Sequence, residues 1–183
     1  RWRSLGLLAL LLALLLSPLH ELAERYYSAR LAEQNRQTLD LYAANLPVDA
    51  PVVAAANLPS ANAATAEFAG KTSMVVYDNV GREVMLDIYF AKSATNEWEV
   101  TVFNRADATA STFFPYTGGP LASTTIEFDP ANGQLDTSGA TDITFAVPGG
   151  QTVTLDLSSM TELGEGFMPL DSEMNGNPAS GIE

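Results

Sequence analysis

The sequence predicts a mainly β chain: a small antiparallel β-barrel or sandwich domain, preceded by an N-terminal hydrophobic helix and a polar helix. Three observations carry that expectation. A nearly unbroken apolar run, Leu5 to Leu16, follows Arg1-Trp2-Arg3 at the start. After residue 70 the hydrophobic period changes to two. Turn signals such as Asp78-Asn79-Val80-Gly81, Asn132-Gly133 and Pro148-Gly149-Gly150 then separate the alternating runs.

The hydrophobic helix comes first. From Trp2 to Leu19 the one charged residue is Arg3. A helix over that stretch is about 27 Å long, close to the hydrocarbon thickness of a bilayer. Residues 1–20 are therefore expected to form a transmembrane anchor, inserted through residues 2–19, with the arginines on the cytoplasmic side. A secretory signal peptide is the competing expectation. It lacks a small-x-small cleavage signal, because Glu21 lies two residues before Ala23.

Residues 21–45 are rich in Ala, Leu, Glu, Gln and Arg, and predict a polar helix ended by Pro47. A leucine-rich anchor followed by such a helix resembles, in a generic way, the entry to the periplasmic part of membrane sensor kinases. Residues 46–70 are Ala-, Asn- and Pro-rich without helical or alternating period, which predicts a linker holding at most one edge strand.

The β domain is expected over residues 71–163. Leu86, Ile88 and Phe90 alternate with Met85, Asp87 and Tyr89; Trp98, Val100 and Val102 alternate with Glu97, Glu99 and Thr101. The same pattern returns at Ile126 and Phe128, at Ile143, Phe145 and Val147, and at Val153, Leu155 and Leu157. Side chains alternate across a strand, so each set predicts one buried and one wet face, as in antiparallel sheets. Thr72–Tyr77 and Arg82–Ala91 should form a hairpin, and residues 129–133 a tight turn. Residues 158–162 suit one helical turn, and residues 164–183 an extended return segment.

Composition limits the chemistry. Residues 1–45 hold five basic and four acidic residues, whereas residues 46–183 hold four basic and eighteen acidic. A segment that acidic is repelled by phosphate backbones, so no nucleic acid is expected as a partner. The chain has no cysteine and one histidine, His20, at the expected membrane edge. A catalytic triad, a thiol nucleophile and a multi-histidine or cysteine metal site therefore lack their parts. Glu97 and Glu99 share one strand face, which could suggest paired acids but reads better as solvated charge. Asp129, Asn132 and Gly133 have part of a calcium-loop pattern without its remaining ligands, and read as a turn. Gly118-Gly119 and Gly149-Gly150 lack the lysine of a phosphate loop. Phe113-Phe114-Pro115-Tyr116 reads as core or loop packing, with subunit contact as the functional alternative. No catalytic, cofactor-binding or metal residue is expected, no cofactor, and no enzyme.

A family resemblance accompanies these features. The phrases Lys71-Thr72-Ser73-Met74-Val75-Val76-Tyr77-Asp78, Leu86-Asp87-Ile88-Tyr89-Phe90, Trp98-Glu99-Val100 and Gly119-Pro120-Leu121-Ala122 stand in order. They are followed by Ile126-Glu127-Phe128-Asp129-Pro130, Leu155-Asp156-Leu157-Ser158-Ser159-Met160-Thr161 and Asn175-Gly176-Asn177-Pro178. Together they resemble the outer β domain of the bacterial flagellar hook protein, over about residues 46–183. The resemblance implies a barrel-like domain without an active site, in an extracellular, flexible coupling between motor and filament. Its implied partners are other hook subunits, by self-association. The hydrophobic N-terminus departs from the polar helix of hook subunits, so the chain is expected to be a fragment or fusion. The alternative expectation is a membrane-anchored extracytoplasmic binding or sensor module, which would need a pocket of convergent polar groups.

Overall fold

Short β-runs joined by Gly- and Asn-containing turns bring residues far apart in sequence onto shared sheets. A computed structural model of the chain describes residues 38–40, 44–109 and 113–169. The chain divides into two units, residues 1–36 and 37–183, and the described residues all belong to the second. The expected transmembrane anchor, its residues 2–19 and His20 therefore lie outside the described residues, as does most of the polar helix. Among the described residues no helix is long and apolar enough to cross a membrane.

Ten strands appear among them: β1 (Thr38–Asp40), β2 (Ala44–Pro47), β3 (Gly70–Tyr77), β4 (Glu83–Ala94), β5 (Glu97–Asn104), β6 (Ala122–Glu127), β7 (Asp142–Ala146), β8 (Thr152–Asp156), β9 (Thr161–Leu163) and β10 (Met168–Pro169). They form a four-stranded sheet in the order β3-β4-β5-β6 and two three-stranded sheets, β1-β8-β7 and β10-β2-β9.

Several expectations are corrected. The polar helix was expected to reach residue 45, yet residues 38–40 and 44–45 lie in strands. Local helix propensity is a weak prior, and here sheet pairing overrides it. Leu46 is fully buried, and the Asn45 side chain donates to the Glu165 carbonyl at 2.8 Å. No closed barrel forms among the described residues; three separate sheets surround the core. Nor is the pairing wholly antiparallel, since β1 with β8 and β2 with β9 run parallel. Parallel neighbours need a long crossover, and the whole chain between them supplies it. Finally, the single helical turn expected over residues 158–162 is not formed as such: the chain closes a turn from Leu157 to Met160, Met160 N–H to Leu157 carbonyl at 3.0 Å, and Thr161 and Glu162 belong to β9.

The predicted inward stripes are buried. Leu86, Ile88, Phe90, Trp98, Val100, Val102, Ile126, Ile143, Phe145, Val153, Leu155 and Leu157 share one core with Leu46, Val76 and Met160. Burying such side chains stabilises the fold by about 1.5–3 kcal/mol each before entropy is counted. The turns follow their residues. Asp78 Oδ1 accepts from the Val80 and Arg82 amides, Gly81 takes φ 80°, and β3 pairs with β4 in register from Gly70↔Phe90 to Tyr77↔Glu83. Gly133, at φ 71°, is held so close that an added Cβ would lie 2.3 Å from the Glu162 carbonyl oxygen.

The second face of β4 and β5 departs most from expectation. Asp87, Tyr89, Glu99 and Thr101 were expected to be wet; all four are buried, with Ala91 and Phe103 beside them. The cause is tertiary. Residues 48–69, expected to be a linker, lie across this face in two 3₁₀ turns, Ala55–Asn57 and Pro59–Ala61. Their backbone is tied to β4 by Val53 N–H to the Lys92 carbonyl and Ala69 N–H to the Phe90 carbonyl, each 2.8 Å.

Candidate functional site

An aspartate in the middle of an apolar strand must find partners or stay out of the interior. Asp87 finds five contacts on the covered face. Its Oδ1 accepts from Ser73 Oγ at 2.6 Å and Arg105 Nη2 at 2.7 Å, and lies 2.9 Å from Lys71 Nζ. Its Oδ2 accepts from the Tyr116 hydroxyl at 2.7 Å and lies 2.6 Å from Arg105 Nε. Register explains the convergence: Ser73 pairs with Asp87 and Lys71 with Tyr89 across β3 and β4, while Arg105 follows the last residue of β5.

Burial alone would raise the Asp87 pKa, but hydrogen bonds from Arg105, Ser73, Tyr116 and Lys71 outweigh it, and the carboxyl is held below its ordinary value. The Tyr116 hydroxyl gives its proton to Asp87, so the Tyr89 hydroxyl, 2.7 Å away, must be the donor between the two phenols. Burial pushes Tyr89 up to about 12, and burial with these bonds raises Tyr116 as well.

Aromatic rings close over this polar chain. Tyr89, Phe103, Phe114 and Tyr116 form a second buried cluster, with Phe103 and Tyr116 stacked at 4.2 Å between centroids. The Phe114–Pro115 peptide is cis, and the segment is clamped by Asn62, whose Oδ1 accepts the Tyr116 amide at 2.7 Å. At the rim, Phe68 and Phe113 stay about 40% exposed. Lys71 Nζ lies 4.2 Å from the Phe113 ring centroid and the Arg105 guanidinium carbon 5.2 Å, within cation–π reach.

Two further polar features flank this face. Lys92 and Glu162 form a buried pair at 2.8 Å, and Trp98 Nε1 donates to the same carboxylate oxygen at 3.0 Å. At the β4–β5 turn, a cleft of about 710 Å³ is lined by Asn96, Glu97, Glu127, Asp129 and Asp136 among others. Among the described residues no group of three or more acidic or histidine side chains is placed to hold a metal ion.

The residues weighed from sequence fall as follows. Glu97 and Glu99 do share a face, but Glu99 is not solvated: Ser60 donates to it through its amide at 2.9 Å and its hydroxyl at 2.5 Å. Asp129 binds its own turn, accepting from the Ala131 amide at 2.8 Å and from Asn132 Nδ2 at 3.0 Å. Gly119 and Gly149 take positive φ in ordinary turns. Phe114 and Tyr116 are packing residues, whereas Phe113 points out at the rim. The sequence reading missed Asp87, Lys71, Arg105 and Tyr116 as one constellation. A signal existed in Leu86-Asp87-Ile88-Tyr89-Phe90-Ala91, where Tyr89 and Ala91 are apolar on the supposedly wet side.

Comparison with known proteins follows from this fold. Residues 45–177 match the family model of the flagellar basal body protein FlaE D2 domain. The chain belongs to that family. The flagellar hook protein FlgE of Brucella abortus is 33% identical over 129 residues, covering 69% of this chain and 30% of that protein. This FlaE D2 chain thus spans less than a third of the length of the hook relative it matches. A 32 kDa fragment of the hook protein FlgE from Caulobacter crescentus superposes with a TM-score of 0.44 at 15% identity, over 60% of this chain and 47% of the fragment. The N-terminal part has a different relative: the C4-dicarboxylate transport sensor protein DctB of Pseudomonas aeruginosa is 78% identical over 46 residues, a quarter of this chain and 8% of that protein.

Proposed function

We propose that this FlaE D2 domain is a structural subunit domain of the bacterial flagellar hook, the flexible extracellular coupling between motor and filament. The match of residues 45–177 to the family carries this reading. The interior chemistry is consistent with it: the buried Asp87, Lys92, Glu99 and Glu162 are each engaged by partners within the fold. Such groups stiffen a scaffold; none is aimed into an open cavity as a reactive residue would be. In this reading the chain is no enzyme, has no catalytic, metal or cofactor residues, and takes other hook subunits as partners. The proposed domain plan is an anchor over residues 1–20, a polar segment from residue 21, a covering segment within 46–70 and a β domain over 71–163 joined by strands β2 and β10; of the return segment proposed over 164–183, residues 170–183 lie outside the described residues.

The test replaces the corresponding domain of a hook protein with residues 45–177 in a hook-deficient bacterium. Hooks visible by electron microscopy and restored swimming are expected. A chimera that is stable and exported yet forms no hook would sink the reading.

The DctB similarity favours a second reading for the N-terminal part: a sensor-like membrane anchor presenting the β domain outside the membrane. Carbonate extraction of membranes from cells expressing the whole chain separates the two. Retention in the pellet supports the anchored form, and release removes it.

A further inference from the structure

Residues 57–67, inside the segment expected to be a linker, close on themselves as a small loop. The Glu67 amide donates to the Asn57 carbonyl at 2.8 Å, and Thr65 Oγ1 donates to Asn57 Oδ1 at 2.9 Å. A compact surface loop whose ends adjoin is packed by its own residues. Only Pro59 in it is buried, and Ala66 touches the aromatic cluster, so little apolar surface holds the loop down. Two polar latches hold it instead. Ser60 gives its amide to Glu99 Oε1 at 2.9 Å and its hydroxyl to Oε2 at 2.5 Å. Asn62 takes the Tyr116 amide on Oδ1 and gives Nδ2 to the Tyr116 carbonyl, both at 2.7 Å.

The chain on either side of the loop is fixed. Val53 and Ala69 donate to the Lys92 and Phe90 carbonyls of β4, and exposed residues, 54–56 and Phe68, stand between these posts and the loop. Lifting the loop exchanges Ser60 for water at Glu99, which keeps the Thr101 hydroxyl at 2.8 Å. Trading a protein hydrogen bond for one to water has a small net cost, unlike exposing apolar surface. The inner stripe of Leu86, Ile88, Phe90, Trp98, Val100 and Val102 lies on the opposite face of the same strands and stays covered. Asp87 keeps Lys71 and Ser73, which belong to β3.

We infer that residues 57–67 are a flap with two states: latched on the sheet, or swung away as one body on residues 54–56 and 68. The sheet and its inner core stay folded in both. Glu99 lies on β5 and Tyr116 on the segment that follows it, yet their partners, Ser60 and Asn62, sit together at the tip of one loop. The two latches therefore release together. The latched state keeps water from the Glu99 carboxylate and the open state admits it, a change confined to one face of the domain.

Hydrogen exchange of the full chain in low urea, resolved to single amides, reads the two states. The Ser60 and Tyr116 amides should share one protection factor and one weak urea dependence, at least about tenfold below the protection of Val100 and Val102 in β5. The Glu67 amide, inside the loop's own closure, should be at least about tenfold better protected than Ser60. Each latch should also answer to the other. Glu99→Gln weakens the hold on Ser60 and should speed the Tyr116 amide about tenfold. Asn62→Gly removes the clamp, suits that residue's φ of 51°, and should speed the Ser60 amide as much. Val153→Ala in the inner core should speed Val100 and Val102 and leave Ser60 and Tyr116 unchanged. Ser60→Ala replaces Glu99→Gln if thermal melts show the latter unfolded. Latch amides that exchange only together with Val100 and Val102 would overturn the flap. So would a Tyr116 amide indifferent to the changes at Glu99 and Ser60. A Glu67 amide as unprotected as Ser60 means local melting in place of a swinging body, and rejects it as well.

Discussion

Strands β7 and β8 bury Ile143, Phe145, Val153 and Leu155 on one side and leave Thr144 and Thr154 outside, their hydroxyls 2.9 Å apart. Strands β4 and β5 bury both sides. Their inner side is apolar apart from Lys92, which pairs with Glu162, but their outer side carries Asp87, Glu99, Thr101 and two aromatic rings beneath residues 48–69, 105–109 and 113–117. One region depends on the hydrophobic effect alone. The other adds a polar layer whose members must all stay partnered, because an unpaired buried charge costs several kcal/mol while an exposed threonine costs almost nothing. The same alternating pattern thus supports two kinds of stability.

The sharpest way to break the comparison is Asp87→Ala. It leaves Lys71 and Arg105 crowded without their carboxylate and should destabilise the protein by about 3–5 kcal/mol in urea unfolding. Thr154→Ala on the open face should stay within about 0.5 kcal/mol. Asp87 also sets the acid limb. Its folded pKa is lowered, so its contribution is complete above the ordinary aspartate value and is lost as pH falls through the folded one. Acid unfolding of Asp87→Ala should lack that component.

Next in size is Lys92→Ala, which strands Glu162 beside Trp98 and should cost about 3 kcal/mol. The double change Lys92→Met with Glu162→Leu removes both charges and should recover most of that loss. If it does not, the pair has a role beyond charge balance.

Smaller again on the covered face is Tyr116→Phe, about 1–2 kcal/mol, since Asp87 loses one donor and the Tyr89 hydroxyl loses its acceptor. Tyr89 reports the covered face at alkaline pH. Its pKa is raised from 10.0 to about 12, so its contribution is complete below pH 10 and is lost as pH rises through about 12. Phenolate absorbance followed with unfolding should show both changes together. Titration of Tyr89 near 10 in the folded protein would mean that this face is open.

Much of this architecture was legible residue by residue. The inward stripe from Leu86 to Phe90, the Asp78–Gly81 hairpin and the Asp129–Gly133 turn follow from period and turn chemistry. Glu99 and Asp87 were misread because alternation distinguishes two faces without saying what lies on either. The helix expected up to residue 45 failed for a related reason: Asn45 and Leu46 are held by residues 161–166, which no local window includes.

From the sequence alone come the buried stripe, the turn positions, the acidic surplus and the lack of thiol or clustered imidazole chemistry, because each depends on residue identity and near neighbours. Tertiary structure alone decides which outer face is covered. Ser60 meets Glu99 across 39 residues and Asn62 meets Tyr116 across 54, both from a segment with no period of its own. Contacts of that range depend on where the sheet places distant chain. That placement turns Asp87 from a solvated strand residue into the centre of a buried ionic network.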